Sequence, residues 1–342
     1  MSPKTVKLVV IAAVLTGLAS LAVVVALVVG AVMWFNYTDL NEKRAAARAF
    51  YEQGDWDEAI SSYSEVLRRD PRDATSYVCR GCAYERKGRS DLAISDYSEA
   101  LRLDPNNAYA YGNRGRAYGA TGHLDQAIRD EDKAILLDPQ MAGNYVFRGF
   151  ARALRGELDK AAADYDEAIR LDPGHAGAYA GRGYLFSLRH DWTNVIREYS
   201  EAIRLDPKED TAFVGRAYAY VQQDECEKAI KDYREAIQLN PSSPRPYNDF
   251  AWVLATSPVA TVRDGKEAVA LAQKACELGA WKHSASIDTL AAAYAEVGDF
   301  DEAIKYQKQA LAMADVTDKF RAKAQQRLDL YQQRKPYRET PK

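Results

Sequence analysis

The chain has 342 residues, with 46 Lys and Arg against 49 Asp and Glu, for a net charge of −3. That balance excludes the clustered basic excess of a nucleic-acid-binding domain, and no nucleic-acid partner is expected. Hydrophobic residues at 47% and charged residues at 28% suit a folded protein, and four cysteines are too few for a disulfide framework.

In chain order, the first element is apolar. Residues 1–7 form a short leader carrying Lys4 and Lys7. Residues 8–35, from Leu8 to Phe35, then run for 28 positions without a charge. About 20 apolar residues cross a bilayer core. Trp34, Phe35 and Tyr37 would sit at the interface, where aromatic belts form. The rival is a cleaved signal peptide, whose apolar region is usually about 7–15 residues and ends in small residues. This run is longer, and Val29-Gly30-Ala31 is only a fair cut site. One uncleaved transmembrane helix over 8–35 is therefore expected, holding the chain to a cell (inner) membrane as a single-pass protein. Lys and Arg nearly tie on its two sides. The short basic leader favours a cytoplasmic N-terminus, which puts the large C-terminal part outside the cytoplasm. Only residues 36–39 would link the span to the first repeat.

The next elements repeat. Pro71, Pro105, Pro139, Pro173, Pro207 and Pro241 stand 34 residues apart, closing phrases such as DYSEALRLDP and EYSEAIRLDP. With position 1 set 31 residues before each proline, small residues fill position 8 (Gly81, Gly115, Gly149, Gly183) and position 20 (Ala59, Ala93, Ala127, Ala161). Aromatics fill position 24 (Tyr63, Tyr97, Tyr165, Tyr199, Tyr233). Gly54, Gly88, Gly122 and Gly156 lie between two apolar runs, where one helix must end and turn. This resembles the tetratricopeptide repeat, 34 residues of helix–turn–helix with this small/large pattern and a terminal proline, and in particular membrane-anchored multi-repeat bacterial proteins of that family. The resemblance implies an all-α fold, a right-handed superhelical α-solenoid of about eight repeats over residues 40–317. They lie near 40–73, 74–107, 108–141, 142–175, 176–209, 210–243, 244–283 and 284–317.

The seventh repeat carries a longer inter-helix loop, after which Asp264 and Glu267 look like a capping box. The eighth lacks the closing proline. Residues 318–335 read as an amphipathic capping helix of the kind terminal repeats need, and residues 336–342 as a disordered tail.

Comparing the repeats isolates two sets of residues. At position 7 stand Arg80, Arg114, Arg148, Arg182 and Arg216; at position 23 stand Asp96, Asp130, Asp164, Glu198 and Asp232. An Arg on each first helix facing an acid on a second helix predicts a structural ion-pair ladder, each Arg meeting the acid of its own repeat or of the previous one. Glu131 and Arg152 replace aromatics, open to pairing with each other or to contact between Glu131 and Arg148. Cys79 and Cys82 form a C-x-x-C, a spacing used by metal half-sites and redox dithiols. They fall mid-helix at positions 6 and 9, where other repeats hold Asn113 and Arg116 or Gly181 and Tyr184, so no metal or redox role is expected.

The resemblance places a partner groove on the first helices. Position 9 there carries Phe150, Tyr184, Tyr218 and Trp252, with Val146, Val214 and Asn248 at position 5. Such an apolar aromatic row marks a protein-binding surface. The family's carboxylate clamp and its asparagine ladder are excluded, because their Lys and Asn positions hold other residues. No G-x-G-x-x-G, P-loop or G-x-S-x-G occurs, and no catalytic residue, metal or cofactor is expected. The expected function is a membrane-anchored scaffold or adaptor binding a peptide or helix of a partner protein; the alternative is an envelope assembly or chaperone-like factor with transient unfolded clients.

Overall fold

The computed structural model describes residues 6–8, 10–12 and 21–340. Among these residues all regular structure is helical, and the chain divides into two compact units, Met1–Glu157 and Leu158–Lys342. The first unit holds α1 (Leu21–Gln53), α2 (Trp56–Arg69), α3 (Ala74–Arg86), α4 (Ser90–Leu103), α5 (Ala108–Ala120), α6 (Leu124–Leu137) and α7 (Ala142–Leu154). The second holds α8 (Leu158–Leu171), α9 (Ala176–Leu188), α10 (Trp192–Leu205), α11 (Asp210–Gln222), α12 (Cys226–Leu239), α13 (Pro244–Thr256), α14 (Gly265–Leu278), α15 (Ser284–Glu296), α16 (Phe300–Leu311) and α17 (Asp318–Gln332). Within each unit, consecutive helices pack on one another.

Five repeats are closed by the same local chemistry. Proline has no N–H, and the aspartate before it bonds across it. The side chains of Asp70, Asp104, Asp138, Asp172 and Asp206 accept the backbone N–H two residues on, at 2.9–3.2 Å. These are Asx turns. Between the two helices of a repeat, the chain enters the left-handed region. Gly122 does so freely, at φ +79°, whereas His190 and Asp224 occupy the same place at φ +58°, a conformation costly for side-chain-bearing residues. Close packing follows from the small positions. Ala59, Ala93, Ala161 and Ala229 are fully buried, and a Cβ added at Gly81 would lie 2.7 Å from the Tyr97 ring.

Two expectations about the ends are corrected. Residues 36–39 are not a linker: α1 runs from the apolar segment into the first helix of the first repeat. No Pro or Gly stands between Gly30 and Gly54 to stop it, and the Thr38 hydroxyl bonds back to the Trp34 carbonyl at 3.1 Å. Val6 and Val10 line a cleft together with Gly30 and Trp34. Residues 9 and 13–20 of the expected span lie outside the described residues.

At the other end, the expected cap over 318–335 is α17, which stops at Gln332. It buries Ala324, Leu328 and Tyr331 and carries Arg327 inward. The tail beyond it is ordered at least to Glu339. Pro336, Tyr337, Arg338 and Glu339 are half-buried, because their side chains and backbone find partners on α13 and α15. In the seventh repeat, Asp264 caps α14 by accepting the Glu267 N–H at 3.0 Å. The reciprocal half of the capping box is absent, since the Glu267 carboxylate takes Arg234 at 3.1 Å.

Candidate functional site

The ladder residues come first, because they position the inner helices. In the first unit Arg80 takes Asp96 through two hydrogen bonds, 2.8 and 2.7 Å, and Arg114 takes Asp130 at 2.7 and 2.9 Å. In the second, Arg216 takes Asp232 at 2.8 and 2.8 Å, and Arg182 reaches Glu198 at 2.9 Å. Each of these arginines meets the acid of its own repeat. The remaining N–H donor turns to the previous second helix: Arg80 to Ser64, Arg114 to Ser98 and Arg216 to Ser200, at 3.0–3.1 Å, and Arg182 to Asp166 at 2.8 Å. Arg148 contacts Asp132 in the same way at 2.7 Å; Asp164 is buried on α8 of the second unit. Rings flank the guanidinium groups, as with Tyr77 and Tyr84 at 5.6 and 5.8 Å from Arg80 and Tyr179 at 5.6 Å from Arg182. With the planar fork engaged by the acid, by the previous second helix and by flanking rings, Arg80, Arg114, Arg182 and Arg216 each tie helices together.

Glu131 departs from its expected pairing. Arg148 and Arg152 both lie against the next residue, Asp132, at 2.7 and 3.6 Å. Glu131 itself is fully buried, and neither of its carboxylate oxygens has a hydrogen-bond partner. It occupies the space left by Gly115, whose added Cβ would meet Oε1 at 2.8 Å. Burial, reinforced by the charge of Asp130, pushes the carboxyl up to about 9. The two spaced cysteines are also inward: burial raises both thiols, and the Cys82 sulfur accepts the Tyr97 hydroxyl at 3.4 Å.

The groove residues divide by exposure. In the first unit Phe150 on α7 is 47% exposed, while Val146 is buried. In the second, Tyr184 on α9 and Tyr218 on α11 are 36% and 43% exposed, one repeat apart. Val214 is buried within the core formed with Phe213, Ala217 and Tyr233. Val146 and Val214 are therefore corrected: both are buried packing residues. On the same helices as Tyr184 and Tyr218, glycines receive the tyrosine rings of the preceding repeat. A Cβ added at Gly181 would lie 2.4 Å from the Tyr165 ring, and one at Gly215 would lie 2.4 Å from the Tyr199 ring.

The row ends in a cleft of about 510 Å³ lined by Tyr218, Asn248, Asp249, Trp252, Asp288 and Arg327, among others. Asn248 donates to Asp249 at 3.1 Å, and its own carbonyl oxygen is buried without a partner. Burial raises the Asp249 carboxyl, against the opposing effect of Asn248 and Arg245. Trp252 is half-buried rather than open. The Arg327 guanidinium lies 5.3 Å from its ring centre and bonds Asp288 at 2.9 and 2.8 Å. Tyr337 lies 6.0 Å from Trp252 on a tilted ring plane. Neither Arg327 nor Tyr337 could be found from repeat spacing, because both follow the last repeat. Asp288, at position 5 of the eighth repeat, was the one visible signal.

Family models described as tetratricopeptide repeat match residues 44–108, 97–129 and 284–314, and one described as TPR repeat matches 217–254. The chain belongs to the tetratricopeptide repeat family. Among solved structures, the tetratricopeptide fold is shared with the anaphase-promoting-complex hetero-tetramer Cut9–Hcn1, at 15% identity over 83% of this chain and 54% of that one, with a TM-score of 0.67. A tetratricopeptide repeat protein from Parabacteroides merdae is 16% identical over 86% and 99% of the two chains, with a TM-score of 0.51. MamA is 27% identical over 48% of this chain and 96% of its own, with a TM-score of 0.42. No curated protein sequence matches the chain significantly.

Proposed function

We propose that this tetratricopeptide repeat protein is a membrane-anchored, non-enzymatic scaffold that binds an extended peptide or helix of a partner protein along its first helices. The observation that carries the reading is the pair of exposed rings, Tyr184 and Tyr218, one repeat apart and leading to the cleft at Trp252. Aromatic anchors beside a desolvated pocket supply most of the energy of protein recognition. Phe150 extends the same position in the first unit. The anchor is the N-terminal apolar segment, in which Val23, Val25, Val29, Val32 and Met33 all expose their side chains. So much apolar surface suits lipid better than water.

The test is capture from detergent-solubilised membranes with a tagged full chain. The wild type should retain a defined partner and should sediment with membranes after an alkaline wash. Tyr184→Ala with Tyr218→Ala should lose the partner while keeping its helical circular dichroism. Equal capture by the double variant would reject these rings as the binding surface.

A further inference from the structure

We propose that the cleft at Trp252 is a peptide site selective for an aromatic–basic–acidic segment, held in cis by the chain's own Tyr337-Arg338-Glu339 until a partner segment of that chemistry displaces it. The inference rests on the reading of the groove as a protein-binding surface and names both its ligand class and its regulation.

The strap is built by a reversal. After α17 ends, Arg334 enters the left-handed region at φ +55°, and the Lys335 N–H closes on the Leu330 carbonyl at 2.9 Å. Pro336 then directs the chain back toward α13. Each of the next three residues meets a distinct feature. The Tyr337 ring packs near Trp252 and lies 5.5 Å from the Arg327 guanidinium, so one cation serves two rings. Arg338 forms an ion pair with Glu296 and donates to the Ala255 carbonyl at 3.4 Å. Glu339 accepts the Trp252 indole N–H at 3.2 Å. Its own N–H donates to the Thr256 carbonyl at 2.8 Å, one of the last four carbonyls of α13, which have no partner within the helix.

These contacts have the character of a bound peptide rather than of a core. The strap is half-buried, and one of its backbone groups bonds α13. Side chains supply the rest, one pocket per residue, as in extended-peptide recognition. The cleft is also not filled by it. The buried Asn248 carbonyl oxygen on the cleft wall has no donor, and Tyr218 at the rim remains exposed. An incoming segment that matches the strap and extends toward Asn248 and Tyr218 gains contacts the strap lacks, which is what displacement requires.

The probe is a fluorescein-labelled synthetic peptide of residues 335–340, KPYRET, titrated by fluorescence anisotropy into the full chain in detergent micelles. A short tether holds the strap at an effective concentration in the millimolar range. The wild type should therefore bind weakly, and a chain lacking residues 336–342 at least tenfold more tightly. Tyr337→Ala with Glu339→Ala, which keeps all of α17, should give the same gain, so the result does not depend on the truncation folding well. Trp252→Ala in the truncated chain should remove binding, and a scrambled peptide should not bind. Equal affinity of the wild-type and both strap-released chains, or equal binding of the scrambled peptide, would overturn the proposal. Such a failure is separable from failure of the groove reading, because partner capture through Tyr184 and Tyr218 is measured without the peptide.

Discussion

Glu131 gives a prediction whose size can be worked from its surroundings. Its carboxyl group is sealed between α5 and α6 with no hydrogen-bond partner and is pushed up to about 9, against an ordinary value of about 4.3–4.5. At neutral pH the folded chain therefore holds a proton that the unfolded chain has released. By linkage, stability is unaffected below the unfolded value and falls as pH rises from about 4.5 toward 9. From 4.5 to 7 is about two and a half pH units at 1.36 kcal/mol each, so the cost at pH 7 is about 3 kcal/mol. Glu131→Gln keeps the shape and removes the titration. Urea unfolding of both chains, followed by far-ultraviolet circular dichroism at pH 5 and pH 7, measures the difference. The Gln variant should gain about 2.5 kcal/mol on the wild type over that interval. Histidine titrations are common to both chains and cancel. Parallel pH profiles would refute the reasoning, because they would mean that the Glu131 carboxylate is ionised and compensated in the folded state.

Two further outcomes are expected. Asp232→Ala removes both hydrogen bonds from the Arg216 fork and should cost about 3 kcal/mol, as losses of one partner of a buried pair do. Asp166→Ala removes a single contact to Arg182 from a side chain 63% exposed and should cost under about 1 kcal/mol; equal melting temperatures would sink the distinction. Gly181→Ala places a methyl group 2.4 Å from the Tyr165 ring and should destabilise by about 1–3 kcal/mol, read as a lowered urea midpoint. An unchanged midpoint would mean that the ring moves aside freely.

The solenoid was legible because each repeat meets copies of itself, so the same contact must be made by the same residue type every 34 positions. The alanines and tyrosines of the core follow this logic, and so do the arginines and acids of the ladder. The third ladder contact was not legible, since Ser64, Ser98 and Ser200 are unremarkable letters until a guanidinium is seen against them. Periodicity also says which position recurs and not how deep it lies. Val146 and Val214 share a groove register with exposed neighbours, yet both are buried. Glu131 carries a charge in the sequence, but its neutral state comes from its burial. The strap was hidden for another reason. KPYRET is polar, short and outside the repeat, and its contacts with Trp252, Ala255, Thr256 and Glu296 belong to a part of the chain some eighty residues earlier or forty.

The unbroken α1 has a mechanical consequence. A helix of 33 residues is a stiff shaft about 50 Å long, and its C-terminal end is itself the first helix of the first repeat. With the apolar end seated in lipid, as proposed, a tilt or roll of that end is handed directly to the first repeat, with no hinge to absorb it. The phase of the shaft then matters as much as its length: one residue inserted near Tyr37 would turn the first repeat by about 100° about the shaft, whereas four would leave it about 40° from its heading and raise it by about 6 Å.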